Sequence, residues 1–256
     1  FPMSVDVLFK YGSINEHSEA LFSTPTVWFS TPASLNDPFE CRPSVAFNGS
    51  ESQVIDGLVR AIRSVSPFMP TDIATARVVS IVRQGRHNDP KTWENLGADL
   101  ISTFSRELGI YCLTKANDNI LMWAHYAKNH EGYCLEFEAT DYTPVFGESQ
   151  EVKYAEEFPV LDLFTTPRHK QAELAFLTKF KGWEYEEEYR VVDHLVGAGL
   201  HTYPAELLRC VTFGMNMPEK DRSQIRNWLK KREHEVKLYE TSIHDKAFKI
   251  VITEAK

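Results

Sequence analysis

β-Forming runs crowd the second half of this chain, while amphipathic stripes crowd the stretch from Glu51 to Leu108. So uneven a distribution excludes regular strand–helix alternation. It predicts an α+β fold, a mixed or split β-sheet core with an inserted helical block at about 50–108. At 256 residues the chain is expected to form a single α+β domain carrying that insertion.

Read in order, Val5–Phe9 should be the first strand, ended by Lys10 and Tyr11 and turned by Gly12-Ser13. Ile14–Phe22 reads as a helix that Ser13 or Asn15 can cap, and Thr26–Ser30 as a second strand rich in β-formers. Three stripes make up the helical block. They are Val54, Ile55, Leu58 and Ile62; Ile73, Val78, Val79 and Val82; and Trp93, Leu96, Leu100 and Phe104, the last entered through Asp89-Pro90. Gly109–Thr114 is a buried strand, Asn119–Asn129 a helix, and Tyr133–Glu138 a strand with Tyr133, Leu135 and Phe137 opposite Cys134, Glu136 and Glu138. The helix is expected to point Ile120, Trp123 and Ala127 one way and Met122, His125 and Tyr126 another. A short strand around Val152 and Tyr154 precedes a helix at Gln171–Phe180. Strand residues Tyr189, Val191 and Val192 follow, bounded by Gly197 and Gly199. Val211–Gly214 (strand), Asp221–Arg232 (helix) and the strands Val236–Thr241 and Phe248–Thr253 close the chain.

Composition removes several function classes. A net charge of −8 provides no basic field to recruit nucleic acid, and no strong nucleic-acid signature is present. Cys41, Cys112, Cys134 and Cys210 lie far apart without CxxC spacing and read as reduced buried thiols of a cytoplasmic protein. No apolar run approaches the roughly 18 residues a membrane span needs. Phe1-Pro2 ahead of Met3 reads as an expression remnant rather than a signal peptide. Dinucleotide GxGxxG, P-loop, GxSxG and HExxH patterns are absent. His17 and His87 read as solvated surface residues.

Chemistry concentrates in Lys179–Arg190 (KFKGWEYEEEYR). A strand starting near Glu186 would put Glu186, Glu188 and Arg190 on one face and Glu187 and Tyr189 on the other. Two carboxylates and a guanidinium beside aromatic rings can bind a cation or sugar or do acid/base work; the plainer reading is a solvated acidic strand edge held by Arg190. Lys179 and Lys181 suit the dipole of a helix end, and Trp183 the packing of the helix-to-strand corner. The loop Thr31–Glu40 carries Asn36, Asp37 and Glu40 between Trp28 and Phe39. Asn36-Asp37 can cap its own turn, or Asp37 and Glu40 can join Glu188 around a divalent metal, as in a nuclease.

Five motifs occur together: LFKY (8–11), WFSTPASLNDPFE (28–40), LMWAHYAKNHEGYCLEF (121–137), KFKGWEYEEEYR (179–190) and FGMNM (213–217). In order and spacing they resemble, over nearly the whole chain, a large uncharacterised bacterial family designated a domain of unknown function. A more distant resemblance is to ADP-ribosyltransferases. In that resemblance Lys10-Tyr11 matches the end of the first strand, Ser30-Thr31 the second-strand motif, and Glu186-x-Glu188 the late-strand glutamate motif. The resemblance implies NAD as cofactor, with Glu188 catalytic and Glu186 orienting the acceptor or ribose. Lys10, Tyr11, Trp28, Ser30 and Asn36 would line the NAD pocket, with Trp28, Phe29 or Tyr11 stacking on nicotinamide and Lys10 or Arg190 meeting the pyrophosphate. His125 and Tyr126 would sit at the rim as acid/base or phosphate-binding groups. Two departures stand out: Lys10 replaces the usual Arg or His, and the His125-Tyr126 helix has no required counterpart. The expected partner is a nucleotide or other small-molecule ligand, with the acceptor macromolecule unspecified. The alternatives are a non-catalytic ligand-binding or regulatory module and the metal-dependent nuclease.

Overall fold

A computed structural model describes residues 6–85 and 108–255, together with Lys91, Ser102 and Arg106. In chain order the elements are β1 (Val7–Gly12), α1 (Ser18–Ser23), β2 (Thr26–Phe29), β3 (Ser44–Ala46), α2 (Glu51–Val65) and α3 (Thr71–Arg83). Next come β4 (Gly109–Thr114), α4 (Ile120–Tyr126), β5 (Tyr133–Glu138), β6 (Gln150–Glu151), β7 (Lys153–Ala155), β8 (Val160–Asp162) and α5 (Arg168–Phe176). The remainder are β9 (Thr178–Phe180), β10 (Glu188–Asp193), β11 (Gly199–Thr202), β12 (Leu208–Phe213), α6 (Glu219–Leu229), β13 (Lys237–Ile243) and β14 (Ile250–Glu254). The fold is α+β. An eight-stranded mixed sheet runs β14-β13-β12-β5-β1-β4-β10-β6, antiparallel except where β12 meets β13. Small two-stranded pairings β2–β11, β3–β8 and β7–β9 surround it.

Both faces of the sheet are covered. Leu8, Leu135, Phe137 and Val211 pack with Phe22, Phe146, Tyr203 and Ile225 in the larger core. Phe9, Tyr11 and Cys134 turn the other way, onto Trp123 and Met122 of α4. This is the period-2 alternation expected for β5, with Cys134 opposite Leu135 and Phe137. In α4 and at its C-cap it is Met122, Trp123 and Ala127 that are buried together, while Ile120 is exposed. α2 and α3 form on the first two predicted stripes and pack through Val54, Val78 and Val82. The third stripe, at Trp93–Phe104, lies outside the described residues.

Several boundaries differ from expectation for identifiable reasons. β1 continues through Lys10 and Tyr11 because both pair with β5, Lys10 opposite Leu135 and Tyr11 opposite Cys134. α1 starts only at Ser18, since Asn15 spends its side chain on a turn, accepting from the His17 N–H at 2.8 Å. The predicted helix at Gln171–Phe180 stops at Phe176; Thr178–Phe180 instead pairs in parallel with Lys153–Ala155. The predicted helix at Asn119–Asn129 stops at Tyr126, and Lys128, Asn129 and His130 all take left-handed φ angles of 48°, 53° and 66°.

That left-handed turn delivers Gly132 against β1. A Cβ on Gly132 would lie 2.1 Å from the Gly12 carbonyl oxygen, and one on Gly214 2.1 Å from that of His130. No neighbouring side chain can yield there, because both obstacles are backbone. Gly132→Ala is therefore expected to destabilise the protein by about 1–3 kcal/mol or more through overpacking. Urea unfolding should show this as a lowered midpoint at unchanged slope.

Candidate active site

Strand β9 and strand β10 carry alternate residues inward and bring a set of charges under the sheet edge. Between them a 3-10 segment, Lys181–Glu186, ends at Glu187, whose φ of 45° is left-handed. The strand thus begins at Glu188 rather than near Glu186. The kink sends Glu187 to the surface, 3.5 Å from Lys115, and turns Glu186 and Glu188 inward. Glu186 and Glu188 are 3% and 4% exposed and Arg190 is fully buried, so this is no solvated acidic edge.

The cluster is tightly connected. The Lys179 ammonium lies 2.5 Å from Glu186 Oε2, 3.0 Å from Glu188 Oε2 and 3.0 Å from Glu40 Oε1. Arg190 Nε donates to Glu188 Oε1 at 2.7 Å and Nη2 to Glu188 Oε2 at 2.9 Å. Arg190 also meets Glu40 through Nη2 and donates through Nη1 to the Phe176 carbonyl at 2.9 Å. Glu40 Oε1 is the weak point: it has charge contact with Lys179 but no aligned hydrogen bond. Tyr126 donates to Glu186 Oε1 at 2.5 Å and accepts from Asn36 Nδ2 at 3.2 Å. Three carboxylates thus face two cations, an arrangement that repays the desolvation of buried charge only while the contacts stay intact.

The two central glutamates are driven apart. Burial alone would raise Glu188, but Arg190 and Lys179 beside it hold its carboxyl down at about 2. Burial raises Glu186 above the ordinary carboxylate range, against the pull of Lys179 and Tyr126. Burial would lower Lys179, yet Glu188, Glu40 and Glu186 together raise it. Burial and the hydrogen bond to Glu186 push the Tyr126 phenol up. Two neighbouring carboxyls with opposite shifts are the usual basis for dividing charge-stabilising and proton-transferring roles. Burial pushes the nearby thiols up, Cys41 to about 11 and Cys112 to about 12, which disfavours the nucleophilic thiolate form.

Above the cluster opens a cleft of about 280 Å³. Lys10, Tyr11, Trp28, Ser30, Asn36, Tyr126, Glu186 and Glu188 all line it, although they come from five separate stretches of chain. Trp28 is 63% exposed, and the His17 ring lies parallel to it at 6.4 Å. Tyr11 is buried, its hydroxyl spent on the Ala116 carbonyl at 2.9 Å. Lys10 donates to the Cys112 carbonyl at 2.8 Å. Three expected ligand contacts fall elsewhere. Phe29 is sealed in the core against Tyr111 and His201. Arg190 lies beneath the cleft with its donors already spent. His125 lines a different groove, beside Trp183 and Tyr185.

The carboxylates of the metal alternative do not gather on a common point. Asp37 caps its own turn, accepting from Phe39 N–H at 2.8 Å, and accepts from Trp183 Nε1 at 2.8 Å, while Glu40 and Glu188 turn to Lys179 and Arg190. Among the described residues no group of three or more His, Cys, Asp or Glu side chains is arranged to hold a metal ion. Lys179 is the residue sequence reasoning missed. Placed at a helix end it has only a dipole to serve; in β9 it is the inward residue between Thr178 and Phe180 and centres the cluster.

Residues 122–191, which include most of α4, β5, β9 and most of β10, match the profile of a family described as Protein of unknown function (DUF2971). No curated protein and no solved structure matches the chain. Among the described residues no helix is long and apolar enough to cross a membrane.

The sign of the pH dependence follows from Glu188. Its pKa falls from 4.5 to about 2 on folding, so its stabilisation is present above pH 4.5 and lost as pH drops towards 2. At about 1.4 kcal/mol per unit this is about 3 kcal/mol. Glu186 has the opposite sign: the cost of burying its charge is relieved as pH falls through its raised value. Glu188→Gln should cost about 3–5 kcal/mol at pH 7 by leaving Arg190 and Lys179 short of a partner. Denaturant titrations between pH 7 and pH 2 should show the acid-side loss in the parent protein and a flatter profile in the variant.

Proposed function

We propose that the cleft receives the nicotinamide-ribosyl end of NAD and that the protein transfers ADP-ribose to an acceptor. The observation that carries this reading is the convergence of Lys10, Trp28, Ser30, Tyr126, Glu186 and Glu188 on one cleft above an acidic floor. At about 280 Å³ the space suits a ring and a sugar rather than a whole dinucleotide, so the adenylate end would lie outside it. Breaking the bond between ribose and nicotinamide leaves its electron pair on nicotinamide and builds positive charge on the ribose. A fixed anion nearby stabilises that charge without reorganising.

The glutamates divide the work on this reading. Glu188, ionised and fixed by Arg190 and Lys179, supplies the anion. Glu186, with its raised pKa and its hydrogen bond from Tyr126, takes the proton of the attacking acceptor. Exposed Trp28 stacks on the planar ring. One observation favours a second reading, a non-catalytic binding pocket: both Glu188 oxygens already hold strong donors.

Calorimetry and thermal shift with NAD, combined with an assay of released nicotinamide, separate the two. The transferase reading expects NAD to raise the melting temperature. It also expects Glu186→Gln to cut nicotinamide release by about 100-fold or more while NAD still binds. Release unaffected by Glu186→Gln, or no response to NAD, contradicts it. Binding without any release by the parent protein moves the assignment to the binding pocket.

A further inference from the structure

A larger groove, of about 880 Å³, lies on the other side of the loop that carries Asn36 and Glu40. Its walls are aromatic: Phe39, Phe158, Phe180, Trp183 and Tyr185, joined by His125. Phe39, Phe158 and Phe180 are 66%, 49% and 52% exposed, a concentration of open rings that marks binding surface rather than ordinary exterior. The Phe39 and Phe158 rings lie 6.4 Å apart and within 23° of parallel. Trp183 is held rigidly, its indole N–H on Asp37 at 2.8 Å and its ring 5.2 Å from the Lys179 ammonium. The wall is therefore preorganised, and its central ring already carries one cation against its π-system.

The charges that remain free decide the ligand. Asp37 and Lys179 also line the groove, but both are spent, Asp37 on Trp183 and the Phe39 N–H and Lys179 on three carboxylates. Glu156 and Glu157 line it as exposed carboxylates that, among the described residues, form no ion pair, and they outnumber the exposed Arg42. Open rings with an excess of carboxylate at the edge fit a cation whose charge is spread over a flat or alkylated head. We infer that this groove is a second ligand site, selective for organic cations of the quaternary-ammonium or N-alkylated ring type. It stands apart from the NAD reading, because Phe158, Glu156 and Glu157 do not line the smaller cleft.

The test uses three probes of one shape and different charge: N-methylquinolinium, 1-methylnaphthalene and 1-naphthalenesulfonate. Binding to the full chain is followed by tryptophan fluorescence and by shifts of the indole N–H signals. The cation should bind at least about tenfold tighter than the neutral hydrocarbon, and added salt should weaken it. Phe158→Ala should weaken it by about tenfold, and the double variant Glu156→Gln, Glu157→Gln by about threefold or more. All three positions are substantially exposed, so the variants are expected to fold, which circular dichroism and melting temperature verify. The inference is overturned if the hydrocarbon binds as tightly as the cation, if the sulfonate is preferred through Arg42, or if the folded variants bind unchanged. Occlusion of the groove by self-association, seen as concentration-dependent mass with no probe binding, also overturns it.

Discussion

The contact on which the rest of this structure depends is the buried triangle of Lys179, Glu188 and Arg190, braced by Glu40 and Glu186. It joins pieces that have little else in common: the loop after β2, the end of α5, the three-residue strand β9 and the first residues of β10. Arg190 alone spans three of them, through Glu40, the Phe176 carbonyl and Glu188. An ion network at this depth is costly to desolvate and gains little over an apolar core of the same shape. Its persistence here is better explained by what it positions than by what it stabilises. It fixes Glu186 and Glu188 side by side, with opposed proton affinities, at the floor of a cleft.

The loop from Asn36 to Cys41 acts as a partition. Asn36 and Glu40 turn to the cleft, Asp37, Phe39 and Cys41 to the aromatic groove, and Lys179 reaches the lining of both. Two bonds anchor the partition at opposite sides, Asn36 to Tyr126 and Asp37 to Trp183. This shared wall gives the molecule two chemically distinct surfaces, one polar and acid-floored, the other aromatic, within a few residues of each other.

Much of the fold is legible in the sequence where one element is specified by its own side chains. Gly109–Thr114 and Tyr133–Glu138 form as strands with the expected bounds, because β-forming runs and strict alternation leave few alternatives. Legibility fails where a distant partner decides. Thr178–Phe180 follows a helix and continues its apolar spacing, yet it becomes a strand because Lys153–Ala155 offers it an edge. That one difference hides Lys179, whose role exists only once β9 turns it inward. The candidate residues Lys10, Trp28, Ser30, Tyr126, Glu186 and Glu188 were readable because each sits in a dense local motif, and the fold brings those motifs to one cleft. His125 is adjacent to Tyr126 in sequence but faces the other groove, and Arg190 lies close to Glu188 but beneath the cleft, because nearness in sequence says nothing about depth or direction.

The cleft's division of charge rests on the opposed proton affinities of Glu186 and Glu188, and carboxyl-carbon NMR titration of glutamate side chains measures them directly. Assignments come from Glu186→Gln and Glu188→Gln. The Glu188 signal is expected to stay ionised down to about pH 2 and the Glu186 signal to titrate above the ordinary 4.5. Two signals titrating together near 4.5 would contradict that expectation, since both groups would then be solvated carboxylates with no division of roles.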